Sequence, residues 1–337
     1  GAGKIGIHRL NPIDLSVILR RTELLQSLDY LRLVTRGEPF TLRNLMHSIS
    51  PPVEQYTAYC DNDPERPCYA QVISRMDETQ GQLTFLGALA DTDQSDIACL
   101  LENLIANAGN WGTYYITCDL PTDSPHLPGF KKAGFITWAN QTIFRLAPTI
   151  LEDKKTEYPW RTWNANDMRA MISLYRGVVP GLFQPIEPLT RKAALGLVLY
   201  QPEGELIGYA DLDYGPKGVW AQPVLSPEAN DPQILSDLQK AIPNLNNRPV
   251  FLAARSYQPW LASLAAQLPV ETQGSQLLMV RYLVRQSKAA EPQAFALYEV
   301  GNIERSMPVS QIRQKTDLTL LARLICLLTN LADGHAA

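Results

Sequence analysis

The chain has 337 residues, of which 45% are hydrophobic and 19% are charged, and its formal net charge is −4. This size and hydrophobic content allow one large core or two domain-sized cores, and they argue against a disordered chain. A slightly acidic chain without a run of lysine and arginine is not expected to bind nucleic acid.

The cysteines and the termini bear on the compartment. The five cysteines are Cys60, Cys68, Cys99, Cys118 and Cys326. Their odd number and their spacings fit no zinc motif, so we predict no metal site and expect a reducing, cytoplasmic location. We expect no signal peptide, and the longest apolar run, residues 318–332, is too short to span a bilayer. No membrane association is therefore predicted.

Strand and helix patterns alternate along the first half of the chain. The predicted elements are, in order, strands at Cys68–Arg75 and residues 82–90, a helix at 97–109, a strand at 113–120, a short helix within 129–135 and a strand at 141–147. Apolar residues recur at helical spacing in the longer helix, so one of its faces is expected to be buried. Ser95 or Asp96 is expected to cap its start, and Gly109 its end.

The second half repeats this order. Its predicted elements are strands at residues 205–214 and 219–226, a helix at 232–245, a strand at 248–255, a short helix at 258–268 and a strand at 277–285. The offset between equivalent elements is roughly 136 residues, which indicates a domain-scale duplication. We therefore predict domains at residues 1–150 and 158–285, joined by a polar linker at 148–159.

Residues 286–337 are predicted to form a C-terminal extension. Its helix at residues 318–332 is hydrophobic nearly all round and must be buried. The helix is expected to pack either between the two halves or against a second copy of the chain, which would make a homodimer.

The order of elements in each half resembles that of the GNAT superfamily of N-acetyltransferases. The stretch "GFKKAGF", Gly129 to Phe135, looks like the segment in which the family's short helix ends in Gly-Phe. The resemblance covers most of the chain twice and implies an α/β (α+β) fold. It implies two tandem acyl-CoA N-acyltransferase-like domains, each with a mixed, mostly antiparallel sheet flanked by helices. Acetyl-CoA or another acyl-CoA is then the implied cofactor, and a small-molecule amine or a peptide is the implied acceptor.

In that family, acyl-CoA binds in a wedge between two splayed central strands. A glycine-rich loop at a helix start then donates backbone N–H groups to the pyrophosphate. The resemblance places the cofactor contacts at Leu89, Ala90, Thr92, Gln94, Ser95 and Phe130 in the first half and at Val224, Leu225, Ser226 and Asn230 in the second.

Both loops of this chain depart from the family pattern. Neither has a glycine or a basic residue, and both carry carboxylates, namely Asp91, Asp93, Asp96, Glu228 and Asp231. A carboxylate at a helix start competes for the N–H groups and repels a phosphate. Plain helix caps are the alternative interpretation of these residues.

The candidate catalytic residues follow from location. Phe130 stands where many family members have a tyrosine that acts as a general acid. His126 lies beside the third strand and is the acid–base candidate, with Asp119 and Asp123 as general bases through water. An ordinary loop histidine is the alternative interpretation of His126, and capping and loop solvation explain Asp119 and Asp123 as well.

Three residues are candidates for substrate contact. Tyr69 belongs to an aromatic cluster of the first half, and Asp211 and Tyr214 lie on a strand where the resemblance places the acceptor. An aromatic core and a half-exposed strand explain them as well.

Two hypotheses about function follow. One is an acyl-CoA-dependent N-acyltransferase acting on an amine. The other is a degenerate, non-catalytic tandem that binds a ligand or supports assembly. The missing glycine loop favours the second, but the acyltransferase is placed first, because a loop can bind a pyrophosphate through bare backbone without the glycine signature. An unrelated NAD or ATP enzyme is excluded for want of a phosphate loop in the right context.

Overall fold

The structure is a computed structural model, and it describes residues 6–9, 25–39, 53–63, 65–75, 79–147, 156–190, 195–244 and 247–283. The strands are β1 (Ile7–Arg9), β2 (Leu25–Ser27), β3 (Val53–Cys60), β4 (Cys68–Arg75), β5 (Gln80–Gly87), β6 (Tyr115–Pro121), β7 (Ile136–Leu146), β8 (Arg161–Thr162), β9 (Leu195–Tyr200), β10 (Leu206–Tyr214), β11 (Val219–Leu225), β12 (Val250–Arg255) and β13 (Val270–Tyr282). The helices are α1 (Tyr30–Arg36), α2 (Gln94–Asn110), α3 (Leu127–Lys132), α4 (Met168–Val178), α5 (Gln233–Ala241) and α6 (Pro259–Ala265), with a 3-10 turn at Ala165–Asp167.

The strands of the described residues belong to one sheet. Its order is β1-β3-β4-β5-β6-β13-β7-β12-β11-β10-β9-β8, and β2 pairs with β5 outside this path. Neighbouring strands are antiparallel except for the parallel pairs β5–β6 and β11–β12. The sheet is therefore mixed and mostly antiparallel, as predicted.

The two halves exchange their last strands. β13, from the second half, lies between β6 and β7 of the first half, with Met279 opposite Cys118. β7, from the first half, lies between β13 and β12, with Ile143 opposite Ala253. Each half therefore completes its part of the sheet with a strand of the other half.

Two wedge-shaped openings interrupt the sheet. β5 and β6 are paired only where Gln80–Gln82 face Tyr115–Thr117, although both strands continue beyond these residues. β11 and β12 are paired only where Val219–Ala221 face Val250–Leu252. We call the opening between residues 83–87 and 118–121 wedge 1, and the opening between residues 222–225 and 253–255 wedge 2. The pairing of β4 with β5 shifts register at Thr84, which bulges at the edge of wedge 1.

Helices cover the faces of the sheet. α2 packs on β3 and β4, and its predicted face is buried except for the half-buried Ile105. In the second half α5 and α6 contribute to one core, and α4 packs on β10 and β11 to form a smaller one.

Helix α1 belongs to the first half in sequence but contacts both halves. Its Tyr30, Leu31 and Val34 pack against a buried cluster of Ile143, Trp220, Phe251 and Ala253. Arg36 forms a 2.9 Å ion pair with Asp213 of β10, and Gly37 ends the helix with a positive φ of 91°. Segment 25–37 thus joins the two halves.

Several sequence-based boundaries were wrong. Asp93, and not Ser95 or Asp96, caps α2, and the helix continues past Gly109 to Asn110. The last strand begins at Val270 instead of residue 277. Its first residues are mostly polar and are half-buried or exposed, so they lack the apolar pattern that predicts a strand. Strands β3 and β9 and helix α1 were not predicted. The helix predicted at 318–332 and the rest of the C-terminal extension lie outside the described residues.

Candidate functional site

Wedge 1 is filled by a segment of the chain itself. β2 pairs antiparallel with β5, and Leu28, which follows β2, is 0% exposed. The Leu28 N–H donates to the carbonyl of Thr84 at 2.9 Å, and its carbonyl accepts from the Asp119 N–H at 2.9 Å and from Gln82 Nε2 at 3.0 Å. Leu28 therefore bridges the two diverging strands and satisfies backbone groups on both edges.

Neighbouring residues hold this segment in place. The Asp119 carboxylate accepts the Tyr30 N–H at 3.0 Å, and Ser124 Oγ donates to Gln26 Oε1 at 3.1 Å. Asp29 caps α1 by accepting the Arg32 N–H at 3.1 Å, so the chain turns directly from the wedge into the helix. From these contacts with Leu28 and Tyr30, we expect Asp119 to hold this segment in position.

Wedge 2 is filled by one side chain. Gln258 is 0% exposed, its Oε1 accepts the Leu225 N–H at 3.0 Å, and its Nε2 donates to the Pro223 carbonyl at 3.3 Å. Trp260 Nε1 donates to the Leu225 carbonyl at 3.2 Å. Proline is tolerated at position 223 because a backbone N–H there would point toward β12, and β11 no longer pairs with β12 at this residue.

A buried polar cluster lies beside Gln258. Arg255 Nε donates to Glu187 Oε2 at 2.8 Å and its Nη2 to Gln222 Oε1 at 3.0 Å, while Gln222 Nε2 donates to Glu187 Oε1 at 2.6 Å. Arg255 also donates to Gln141 of β7. Burial alone would lower the pKa of Arg255, but the Glu187 charge raises it, so Arg255 keeps its positive charge.

The start of α2 is capped by a carboxylate. Asp93 Oδ1 accepts the Ser95 N–H at 2.7 Å, and this bond lowers the pKa of Asp93. The Asp93 carbonyl accepts the N–H groups of Asp96 and Ile97, and the Leu89 carbonyl accepts that of Thr92. The N–H groups of Thr92, Ser95, Asp96 and Ile97 are therefore engaged within the chain.

The start of α5 is capped in the same way. Asp231 Oδ1 accepts the Gln233 N–H at 2.8 Å, and its Oδ2 accepts the Tyr158 hydroxyl at 2.8 Å. The second bond raises the pKa of Tyr158 to about 12. Both helix starts thus carry a carboxylate that accepts a backbone N–H group.

An acidic groove of about 480 Å³ adjoins the start of α2. Its lining residues are Asn62, Asp63, Arg66, Asp91, Asp93 and Asp96. Arg66 is paired with Asp91 at 3.1 Å, so the groove keeps an excess of negative charge that repels an anion.

The predicted catalytic residues occupy different surroundings. His126 is buried at the start of α3, where burial lowers its pKa, a hydrogen bond to the Ala88 backbone opposes this, and its Nδ1 has no hydrogen-bond partner among the described residues. Asp123 is exposed. Phe130 is fully buried and packs on Phe135 at 5.5 Å between ring centroids, so it lies in the core.

The cofactor residues predicted in the first half form loop contacts. Gln94 Oε1 accepts the Gly129 N–H at 2.9 Å, and Ser95 Oγ accepts from Lys132 Nζ at 3.2 Å. Thr92 is buried, Leu89 is half-buried and Ala90 is exposed.

The equivalent residues of the second half lie along β11 and the loop that follows it. Val224 and Leu225 are buried, and the Ser226 N–H donates to the Ile207 carbonyl at 2.8 Å, extending the sheet. Asn230 is exposed.

The structure does not bring the three predicted substrate residues together. Tyr69 is buried on β4 with its ring centroid 6.2 Å from that of Tyr59. Asp211 and Tyr214 lie on β10, in the other half, and Tyr214 stacks under Arg248 at 5.5 Å.

The sequence did not reveal the residues that fill the wedges. Leu28 follows no periodic pattern, and its partner Thr84 is 56 residues away. Gln258 was assigned to a helix as an ordinary polar residue. Its position directly before Pro259, at the start of a short helix, is the only local signal.

Two classes of site find no support in the described part of the chain. None of its helices is both long enough and apolar enough to cross a membrane. Nor do three or more histidine, cysteine, aspartate or glutamate side chains gather there in a way that would hold a metal ion.

The splayed strands, the β5 bulge and the order of the strands define a GNAT architecture. The chain is similar in structure to a GCN5-related N-acetyltransferase from Sphaerobacter thermophilus, with a TM-score of 0.50 and 13% identity over 82% of this chain and 95% of that one. A tandem GNAT protein from the clavulanic acid biosynthesis pathway has a TM-score of 0.47 and 14% identity over 83% of this chain and 98% of that one. The chain has a GNAT-like fold, and at this identity the likeness concerns the fold alone. No family model matches the sequence, and no curated protein matches it.

Proposed function

We propose that this chain is a GNAT-fold protein whose wedges are closed by its own residues, and that it acts as a non-catalytic module for ligand binding or assembly. The observation that carries the proposal is the filling of both wedges. A pantetheine arm in wedge 1 would compete with Leu28 for the Thr84 carbonyl. In wedge 2 it would compete with Gln258 for Leu225 and Pro223.

The charges at the helix starts support the same proposal. A pyrophosphate at either helix would have to displace a carboxylate cap, Asp93 or Asp231, from backbone N–H groups. It would then face that carboxylate as a like charge. Cofactor binding would therefore have to break existing hydrogen bonds and also overcome electrostatic repulsion.

The second candidate function is an acyl-CoA-dependent N-acyltransferase. The splay of β5 from β6 and the buried His126, whose pKa burial lowers, favour it. Under this proposal segment 25–28 leaves wedge 1, acetyl-CoA or another acyl-CoA enters, and neutral His126 takes a proton from a small-molecule amine or peptide.

Titration of the whole chain with acetyl-CoA and CoA, by calorimetry and thermal shift, separates the two candidates. A ligand that binds only the folded state stabilises it by about 2.7 kcal/mol at a hundred times its dissociation constant. We expect no binding to the wild type at millimolar ligand. Binding to the wild type would overturn the first proposal.

Two variants extend this experiment. Leu28→Pro removes the N–H that bonds to Thr84, and Gln258→Ala empties wedge 2. If a variant binds acetyl-CoA and the wild type does not, the filling residue itself blocks the cofactor, which supports the first proposal. If the wild type and both variants fail to bind acetyl-CoA, the first proposal stands.

Location, partners and boundaries complete the proposal. The cytoplasm is supported by the free thiols of Cys60, Cys68, Cys99 and Cys118, and the net charge of −4 supports the proposal that nucleic acid is not a partner. Residues 1–150 and 158–285 are proposed as the duplicated units because each carries a parallel strand pair that opens into a wedge. A homodimer through the C-terminal helix stays a prediction.

A further inference from the structure

Two cysteines face each other at the end of the β3–β4 hairpin. Cys60 is the last residue of β3 and Cys68 the first of β4, and they are direct partners in the antiparallel register. Both are free thiols in one core cluster, 2% and 1% exposed. Directly opposed residues share a face and have Cα atoms about 4.5–5.5 Å apart, which lies within the range that a disulfide spans.

The two thiols are chemically unequal. The pKa of Cys60 is lowered to about 7: the hydrogen bond from Cys68 lowers it most and the Asn62 backbone N–H also lowers it, against burial and the nearby charges of Asp96 and Asp61. The pKa of Cys68 is raised by the same hydrogen bond and by burial. Of the two thiols, Cys60 is therefore the one that loses its proton more readily, and Cys68 the one that holds it.

The other described cysteines lack these features. Burial raises the pKa of Cys118 well above its usual value and also raises that of Cys99 on α2. Neither has an opposed cysteine in the sheet register. They serve as internal references for any reaction at the pair.

We propose that Cys60 and Cys68 form a dithiol that a hydroperoxide oxidises reversibly to a disulfide. The Cys60 thiolate attacks the peroxide, an S–O bond forms as the O–O bond breaks, and the departing alkoxide or hydroxide takes a proton from solvent. The Cys68 sulfur then attacks the Cys60 sulfur, an S–S bond forms as the S–O bond breaks, and the hydroxide leaves as water with the Cys68 proton. The two thiols lose two electrons, and the peroxide gains them.

The disulfide would clamp the loop at residues 61–67. This loop carries Asn62, Asp63 and Arg66, which line the acidic groove, and Asn62 donates to Asp96 of α2 at 3.0 Å. Oxidation therefore fixes one wall of the groove against the start of α2.

The test is cysteine-resolved mass mapping of the full chain after treatment with hydrogen peroxide. We expect the peptide that holds both residues to lose two hydrogen atoms and to resist alkylation, and dithiothreitol to reverse this. Between about pH 6 and pH 8 the rate should rise about tenfold, less than for a thiol of ordinary pKa. If Cys99 is oxidised while Cys60 and Cys68 stay reduced, the proposal is wrong.

Two variants give a second readout. Cys68→Ser should leave Cys60 as a sulfenic acid that dimedone traps, whereas Cys118→Ser should still form the disulfide. If Cys60 of Cys68→Ser forms a disulfide with Cys99 as fast as the wild type forms the Cys60–Cys68 disulfide, the proposed pairing is wrong. Because the wild-type mapping needs no variant, a folding defect in Cys68→Ser leaves the proposal testable.

Discussion

In both wedges, backbone groups at the edges of diverging strands need hydrogen-bond partners, and the two wedges supply these partners differently. In wedge 1 the backbone of Leu28, far from β5 and β6 in sequence, bridges the splayed edges. In wedge 2 the side chain of Gln258, three residues after β12, bonds to the edge of β11. A buried N–H or C=O without a partner costs about 1–3 kcal/mol, so both edges must be satisfied. The difference indicates that the two halves met this requirement independently.

The largest expected effect concerns the exchange of strands on which both wedges depend. Residues 1–150 and 151–337, produced separately, should each fail to fold, because the first lacks β13 and the second lacks β7. By contrast, the intact chain cut at a protease site placed within residues 148–155 should stay associated through β7 and β13. Gel filtration and circular dichroism measure both outcomes. A folded, monomeric first half would show that the exchange is dispensable.

Leu28→Ala tests the closure of wedge 1. Removing a fully buried leucine side chain should lower the free energy of unfolding by about 3 kcal/mol, measured by urea denaturation. Leu182, which is 85% exposed, provides the matched control, and Leu182→Ala should change stability by less than about 0.5 kcal/mol. Equal effects of the two substitutions would mean that Leu28 does not fill the wedge.

Gln258→Ala tests the closure of wedge 2. It leaves the Leu225 N–H and the Pro223 carbonyl buried without partners, which should cost about 2 kcal/mol. Gln267 is exposed on the turn after α6, so Gln267→Ala is the control and should be nearly silent. A loss no larger than that of the control would exclude Gln258 as the closing residue.

Asp237 sharpens the comparison through pH. Burial alone would raise its pKa, but hydrogen bonds from the Tyr158 N–H, Lys240 and other donors lower it overall. Its stabilising contribution is therefore complete above its unfolded pKa, about 3.9, and is lost as the pH falls through the folded value. Asp237→Asn should flatten the loss of stability below about pH 4. Exposed Asp123 of the first half is the control, and Asp123→Asn should change the free energy of unfolding by less than about 0.5 kcal/mol.

The smallest effect separates the two helix caps. Asp231→Ala removes both the cap of α5 and the partner of Tyr158, and should cost about 1 kcal/mol. Asp93→Ala also removes a cap, but the exposed Ser95 N–H can then bond with water. The melting temperature of Asp93→Ala should therefore fall less than that of Asp231→Ala. The reverse order would show that the Tyr158 contact contributes nothing.

Local patterns predicted much of the fold and little of the site. The buried face of α2 and the strand at Cys68–Arg75 were predicted because apolar spacing depends on neighbours in sequence. The negative helix starts were also visible in the sequence, although the capping residue of α2 was misassigned. The closure of the wedges by Leu28 and Gln258 was not predicted, since no local pattern reports which strands become neighbours.

By itself, the sequence determined the repeated order of strands and helices, the lack of a glycine-rich loop and the carboxylates that replace it. Only the tertiary structure decided that β7 and β13 change places and that Leu28 and Gln258 close the wedges. These outcomes depend on hydrogen bonds between backbone groups far apart in the chain, and backbone groups are nearly the same at every residue. Strand pairing and wedge closure are therefore settled by which edges meet when the two halves fold together.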